Sequence, residues 1–262
     1  EHALLVNEAW INSGIDNPAL NQTFANRPFR PISEIINGVA GRGNPEDQQT
    51  YDRLNRGLHT ADNRNYNLNI QGGSNNIRYN IGVGYTDQEG ILKPVSFERG
   101  SFKLNLDAKL NEYVTLSSSN GAYHSFRQQA RGGDGQQASY MLAMLHHPTY
   151  LPLYNADGTK ARGSIYENID NLINTDISNI STTSSRYVGN QFVEIKLLPE
   201  LKFKSSIGLD YNVYNEREFF NDQTIIGGAP NPLGYRNEAI TNLSVFQNEQ
   251  LLTFKKSFND AH

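Results

Sequence analysis

The chain of 262 residues has no cysteine. That absence excludes disulfide frameworks, cysteine-bound zinc and thiol nucleophiles. There is no apolar run near the ~18 to 20 residues that a membrane-crossing helix needs. Nor is there an excess of positive charge: 23 Lys and Arg stand against 27 Asp and Glu, a net charge of −4. Without a basic patch or stripe, nucleic acid is not an expected partner. The opening "EHALLVNEAW" lacks the basic start, apolar core and cleavage site of a signal peptide, and it lacks an initiator Met. Both ends are abrupt, which leads us to expect a piece of a longer chain.

Signatures of chemistry are also missing. "GVG" at 82–84 has no third glycine and sits inside a strand pattern, so it reads as strand and not as a nucleotide loop. "NADG" at 155–158 begins like a calcium loop, but it lacks the later acidic ligands and the closing Glu; an Asx-type turn fits better. His146 and His147 are adjacent, so their side chains diverge, and no acidic cluster lies nearby in sequence. There is no Gly-x-Ser-x-Gly elbow, and the scattered carboxylates offer no pair for glycoside hydrolysis. The expectation is a protein that is not an enzyme, with no catalytic residue, metal site or cofactor.

What the chain does have is Gly, with 22 residues, and many Asn, Tyr and Phe against a single Trp. Residues 1 to about 62 carry few strand signals. "ALLVNEAWI" has helical spacing, and the Pro-, Gly- and Asn-rich stretch after it reads as loop. From Tyr66 the texture changes to period two. Tyr66, Leu68 and Ile70 alternate with Asn67, Asn69 and Gln71. After "GGSNN", Ile77, Tyr79, Ile81, Val83 and Tyr85 alternate with Arg78, Asn80, Gly82, Gly84 and Thr86. A third strand places Phe102, Leu104, Leu106 and Ala108 on one face. A fourth, near Tyr113 to Phe126, loses its pattern after Leu116. The clearest runs from Leu201 to Val213, with a preceding strand near Tyr187 and a last one at about 240–255. Long interruptions fall at about 127–182, which includes a helix-like "QASYMLAMLHH", and at about 216–238.

Two features bear on the fold class. The strands are long, well beyond the ~5 to 6 residues usual in globular sheets. Short turns ("GGSNN", "KLNE", "LPE") also alternate with long links. If each strand reverses direction, all short turns sit at one end and all long loops at the other, as in an outer-membrane barrel. A β-sandwich alternates too, with its apolar face inward. Tyr79, Tyr85 and Tyr211 on the apolar face suit either an interfacial girdle or a sandwich core. About seven strands are too few to close a membrane barrel and would leave two edges. The fold is therefore either a soluble sheet or a segment of a larger barrel.

"YNLNIQGGSNNIRYNIGVGYTDQEGIL" followed by "FERGSFKLNLDAKLNEYVTLSSS" resembles the SusC/RagA-like family of TonB-dependent outer-membrane transporters. The matching positions are Gly72, Gly73, Ser74, Tyr79, Tyr85, Asp87, Glu89, Gly90, Arg99, Asn105, Leu106 and Asp107. "PLYNADG" and the terminal "FKKSFNDAH" fit as well, and the resemblance runs from about Asn63 to the end. It implies an all-β fold: about seven long antiparallel strands of a large transmembrane barrel, residues 63–262, preceded by an extracellular loop region with a short helix, residues 1–62. It further implies a bacterial outer-membrane location and a plugged barrel energised through the TonB complex. The implied partners are membrane lipid, a SusD-like surface lipoprotein and an oligosaccharide or peptide substrate. The plug and the TonB-binding part would lie outside this segment. The alternative is a soluble carbohydrate-binding β-sheet protein.

On the barrel reading the apolar faces meet lipid, and Gly82 and Gly84 leave room for a plug or substrate. The faces that look into the lumen carry Arg78, Lys103, Asp107, Glu194, Lys196, Lys202, Lys204 and Asp210, a wall of mixed charge. Aromatic rings stack on sugars and peptide side chains, so the loop aromatics Tyr140, Tyr150, Tyr154, Tyr166, Phe219, Phe220 and Tyr235 are candidate substrate contacts. The competing reading is that they pack the loops together.

Overall fold

The computed structural model describes residues 1–12, 27–132, 139–155, 157–161, 166–228 and 234–256. The terminal "SFNDAH", Ala156 of "NADG", and parts of both long loops lie outside the described residues. The chain forms two compact units, Glu1–Asp52 with His147–Ala161, and Arg53–His146 with Arg162–His262.

The first unit holds helix α1 (His2–Asn12) and a small hairpin, β1 (Ile35–Ile36) with β2 (Val39–Ala40). Asn7 on α1 clamps the backbone of Phe29: its amide nitrogen donates to the Phe29 carbonyl (2.8 Å), and its oxygen accepts from the Phe29 amide (3.1 Å). Phe29 is fully buried, with Tyr150 packed edge-on against it at 5.1 Å.

The second unit is built on seven long strands. They are β3 (Asn63–Gly73), β4 (Ile77–Glu89), β5 (Ser96–Lys109), β6 (Val114–Gln129), β7 (Ser178–Leu198), β8 (Leu201–Phe220) and β9 (Tyr235–Phe254). Each pairs antiparallel with its sequence neighbour, so the sheet is a simple meander with β3 and β9 at its edges. The short turns are chemically specified. At the β3–β4 turn, a side chain on Gly73 would put its Cβ 2.2 Å from the Ile77 carbonyl oxygen. Ser74 Oγ there accepts from the amides of Asn76 and Ile77, both at 3.3 Å. At the β5–β6 turn, Asn111 Oδ1 accepts from the amides of Tyr113 (2.8 Å) and Val114 (2.9 Å), the Asx geometry that favours Asn in turns.

The register puts one apolar set on one face across β3 to β5: Tyr66 opposite Tyr85, Leu68 opposite Val83, Ile81 opposite Leu104, Val83 opposite Phe102. No second layer covers that face among the described residues. Tyr66 is 61% exposed, Val83 50% and Ile207 48%. A sandwich core would bury them. The apolar runs Ile77–Tyr85 and Phe203–Val213 have the ~9 to 11 residues that a tilted strand needs to cross hydrocarbon. This face has the composition and height of one that meets lipid, and the opposite face is polar.

The strands reach further than the alternation indicates. The interruption expected at 127–182 shrinks to the residues between Gln129 and Ser178, and the one at 216–238 to those between Phe220 and Tyr235. The link between β4 and β5 is residues 90–95. The physical reason is that a ladder can continue past the hydrocarbon, where neither face needs to be apolar. "SNISTTSS" on β7, Ile180 apart, and "NERE" on β8 are polar on both faces, so period two vanishes while the hydrogen bonds go on.

Above that end of the sheet, short helices pack a small core. They are α2 (Arg53–Gly57), α3 (Tyr140–Leu145), α4 (Ile169–Ile173) and α5 (Ile225–Gly228). Ala143, Ile169, Leu172 and Phe220 are buried there, and Arg56 holds Asp170 in a two-pronged ion pair at 2.7 Å. Glu167 is fully buried. Its Oε1 accepts from the Asn168 amide (2.8 Å) and Asn171 Nδ2 (3.1 Å), and its Oε2 accepts from the Ile225 amide. One carboxylate thus ties the β6–β7 loop to the β8–β9 loop. Glu167→Ala orphans these donors at a cost of about 2–4 kcal/mol. Hydrogen exchange should show residues 221–228 losing protection while the β7–β8 ladder keeps its own. Unchanged exchange at Ile225 would refute the tie.

Candidate binding surface on the inner wall and loops

All eight charged residues assigned to the lumen by alternation share one face of the sheet. Register places Arg78 opposite Asp107, Glu194 opposite Lys204, and Lys196 opposite Lys202. Much of this wall pairs with itself. Arg78 lies 3.7 Å from Asp107, which also accepts from Ser117 Oγ (2.6 Å). Lys202 donates to Glu194 at 3.0 Å. Lys204 sits over the Phe192 ring at 4.0 Å. Arg186 grips Asp210 through two bonds of 2.9 and 2.6 Å. Exposed pairs of this kind add little stability, but they fix where charge stands on the wall.

Glycine space differs from the sequence expectation at one position. A Cβ on Gly82 would make only ordinary contact, 3.7 Å from Lys103 Cβ. On Gly84 it would meet Ser101 Oγ at 2.7 Å and Asn67 Oδ1 at 2.9 Å. The recess at Gly82 is open, whereas neighbouring side chains already fill the one at Gly84.

The loop aromatics divide sharply. Tyr140 is 1% exposed, and its hydroxyl donates to the Gly57 carbonyl (3.0 Å); burial pushes the phenol well above its usual range. Phe220 is fully buried beneath Arg131, whose guanidinium lies 5.4 Å from the ring centre. These two are packing residues, so the substrate-contact expectation does not hold for them: their rings have no free surface. Phe219, Phe220 and Tyr235 belong to strand ends, not loops, because β8 and β9 extend past the apolar band. Phe219 (37%) and Tyr235 (40%) remain exposed. Tyr154 is 42% exposed. Tyr166 packs edge-on against His146 at 6.3 Å, and Tyr150 stacks on His2 at 5.1 Å. Asp157 accepts from the Thr159 amide (2.9 Å) and hydroxyl (2.6 Å), which holds its carboxyl below the usual range. That carboxylate closes a turn.

Alternation left out four cations that share the face of the eight: Arg99, Lys109, Arg127 and Arg186. Two steps of two from Lys103 along its own strand lead to Arg99. Finding Arg127 and Arg186 needs the true lengths of β6 and β7.

The outward face also has an unexpected strip. On β6 and β7, Ser118, Asn120, His124, Ser185 and Gln191 share the face of Leu116 and Val193. They satisfy one another. Asn120 Oδ1 accepts from Tyr187 Oη (2.7 Å) and Gln191 Nε2 (2.8 Å), and Asn120 Nδ2 donates to Ser118 Oγ (2.7 Å). His124 Nδ1 lies 2.9 Å from Ser185 Oγ. Gly189, opposite Asn120, makes this possible: the Tyr187 ring folds across the space its side chain would take.

No family model matches the chain. It is similar to TonB-dependent receptor P39 of Formosa agariphila, 28% identical over 204 residues, covering 75% of this chain and 18% of that protein. It is also similar to the TonB-dependent receptor SusC of Bacteroides thetaiotaomicron, 26% identical over 175 residues, covering 58% and 17%. A solved structure of the RagAB peptide importer in its closed-closed state matches with TM-score 0.64 at 22% identity, covering 80% of this chain and 24% of that one. At that identity the structural likeness establishes the fold alone. The chain resembles the SusC/RagA-like TonB-dependent receptors, as its motifs indicate, and its sheet is similar to a section of their barrel in the bacterial outer membrane. It spans less than a fifth of the length of either relative.

The strip yields a test of the outward assignment in the full-length barrel. Asn120→Ala strands the Tyr187 and Gln191 donors and should cost about 1–2 kcal/mol. The triple change N120L/Y187F/Q191L removes the whole network and should restore or raise stability. Urea titration of the barrel in liposomes, read by heat-modifiable gel mobility, checks both. A triple variant weaker than N120A would show that the strip faces water.

Proposed function

We propose that this chain is part of a TonB-dependent outer-membrane transporter that imports oligosaccharides or peptides together with a SusD-like lipoprotein. One observation carries the reading: a single-layer sheet of long strands with an exposed apolar face of membrane-crossing height and a hydrophilic face opposite. A soluble carbohydrate-binding sheet would need a second layer over Val83, Phe102 and Ile207, and none is present among the described residues. The relatives are receptors and importers by name, which supports transport over catalysis.

The mechanism follows from the wall. Substrate enters from the long-loop end, where exposed Tyr235, opposite Phe220 on the inner face, offers a ring for stacking. It then passes the hydrated inner face, and the wall's own ion pairs keep that face wet without binding permanently. The chain enters β3 from the long-loop end, which supports placing residues 1–62 on the extracellular side. TonB and the plug act through parts of the barrel outside this segment.

In cells expressing the full-length protein, fluorescent substrate should bind at the surface and enter only with TonB and a proton-motive force. Adding an uncoupler should leave it surface-bound and removable by protease or competitor. A tagged copy should co-purify a lipoprotein encoded beside it. Entry at the same rate without TonB would sink this reading.

A further inference from the structure

We propose that the extracellular mouth of the lumen wall on β4–β6 selects acidic oligosaccharides, with Arg99, Lys103 and Arg127 as the anion contacts. This rests on the transporter reading and narrows its substrate class. Arg99 stands opposite Thr86 and Ser125, and Lys103 opposite Gly82 and Gly121, so both face inward. Arg127 lies two residues beyond Ser125 on β6, diagonal to Arg99, at the ~7–8 Å spacing of such neighbours. All three are exposed.

They differ in their partners from the other cations at the long-loop end; Lys109, Lys196 and Lys204, which also have no carboxylate within ion-pair distance among the described residues, stand at the short-turn end. Arg78, Arg131, Arg186 and Lys202 each have a carboxylate within ion-pair distance. Among the described residues, Arg99, Lys103 and Arg127 have none. The inner carboxylate on that side nearest in register to Arg127 is Glu216, two strands away with Thr182 between them. Arg99 and Arg127, as diagonal neighbours, repel, and an anion bound between them relieves that cost; Lys103 stands roughly 13 Å further down β5, where a later unit of an extended ligand would meet it.

Position and surroundings set the ligand class. Outward apolar residues on β4 end at Tyr85, in register with Gly100. Arg99 and Arg127 therefore lie at or past the extracellular edge of the lipid-facing band, where a ligand first meets the wall. Around them the inner face offers hydroxyls and amides (Thr86, Ser101, Ser125, Asn67), and Gly82 leaves an open recess beside Lys103. Phe97 and Tyr123 are the rings on this stretch. Hydrogen-bonding groups suited to sugar hydroxyls are dense there, and the two rings can stack on sugar faces. Carboxylate and sulfate substituents share the chemistry that the three cations recognise.

The test uses the full-length transporter in detergent and three probes: a hexauronate, a sulfated galactan hexamer and a neutral glucan hexamer. The wild type should bind one or both acidic probes more tightly than the neutral one, with affinity falling as salt rises. R99Q/K103Q/R127Q should lose ~10-fold or more of acidic affinity, the scale of one charge-assisted contact, and leave neutral binding unchanged. R99K/K103R/R127K should keep the acidic preference, which separates charge from misfolding. If the cations instead pair with an acidic plug surface, the Gln variant will lower the melting temperature and leave acidic affinity intact, which overturns the proposal. A wild type with no acidic preference overturns it too, while TonB-dependent uptake reports separately on the transporter reading.

Discussion

Everything in this structure follows from one unmet demand: an apolar sheet face that none of the described residues covers. Burial of apolar area drives folding, and a single layer of sheet cannot supply it alone. Val83, Phe102 and Ile207 are too exposed for a water-soluble core. Lipid satisfies them without a second layer. With that solvent assigned, the long strands, the one-sided placement of turns and the hydrophilic opposite face become one arrangement. The ladder satisfies backbone groups strand to strand, and the outward side chains match hydrocarbon over the required height.

Most of the fold was legible from parity alone. Leu201 to Val213 and Ile77 to Tyr85 alternate cleanly because one side meets lipid and the other meets water. Legibility ended where that contrast ends. Past the band, "SNISTTSS" and "NERE" meet water on both sides, so their strands read as loop, and Phe219, Phe220 and Tyr235 were placed in loops for that reason. β6 was obscure for a different reason. Ser118 and Asn120 point outward, and their bond to each other, with those of Asn120 to Tyr187 and Gln191, makes that tolerable. Such a network joins residues about seventy positions apart in the chain, beyond the reach of a local pattern.

The candidate site was legible in part. The eight lumen charges fell on one face, because face follows from parity. Their pairing did not follow, because it depends on register between strands. Arg186 with Asp210 is one example; Arg99 and Arg127, left without partners, are the converse. Burial was the least legible property. Tyr140 and Tyr154 both read as loop rings, yet one is core and the other exposed, since the packing of α3 against α2 and not ring type decides.

The most direct test is a spin-label scan along β4, with single cysteines introduced from Tyr79 through Tyr85 in the full-length protein reconstituted in lipid. Accessibility to oxygen, which concentrates in hydrocarbon, should peak at positions 79, 81, 83 and 85. Accessibility to a water-soluble nickel chelate should peak at 80, 82 and 84. Uniform accessibility to the chelate, or a reversed phase, would contradict the assignment of this face to lipid and the account built on it.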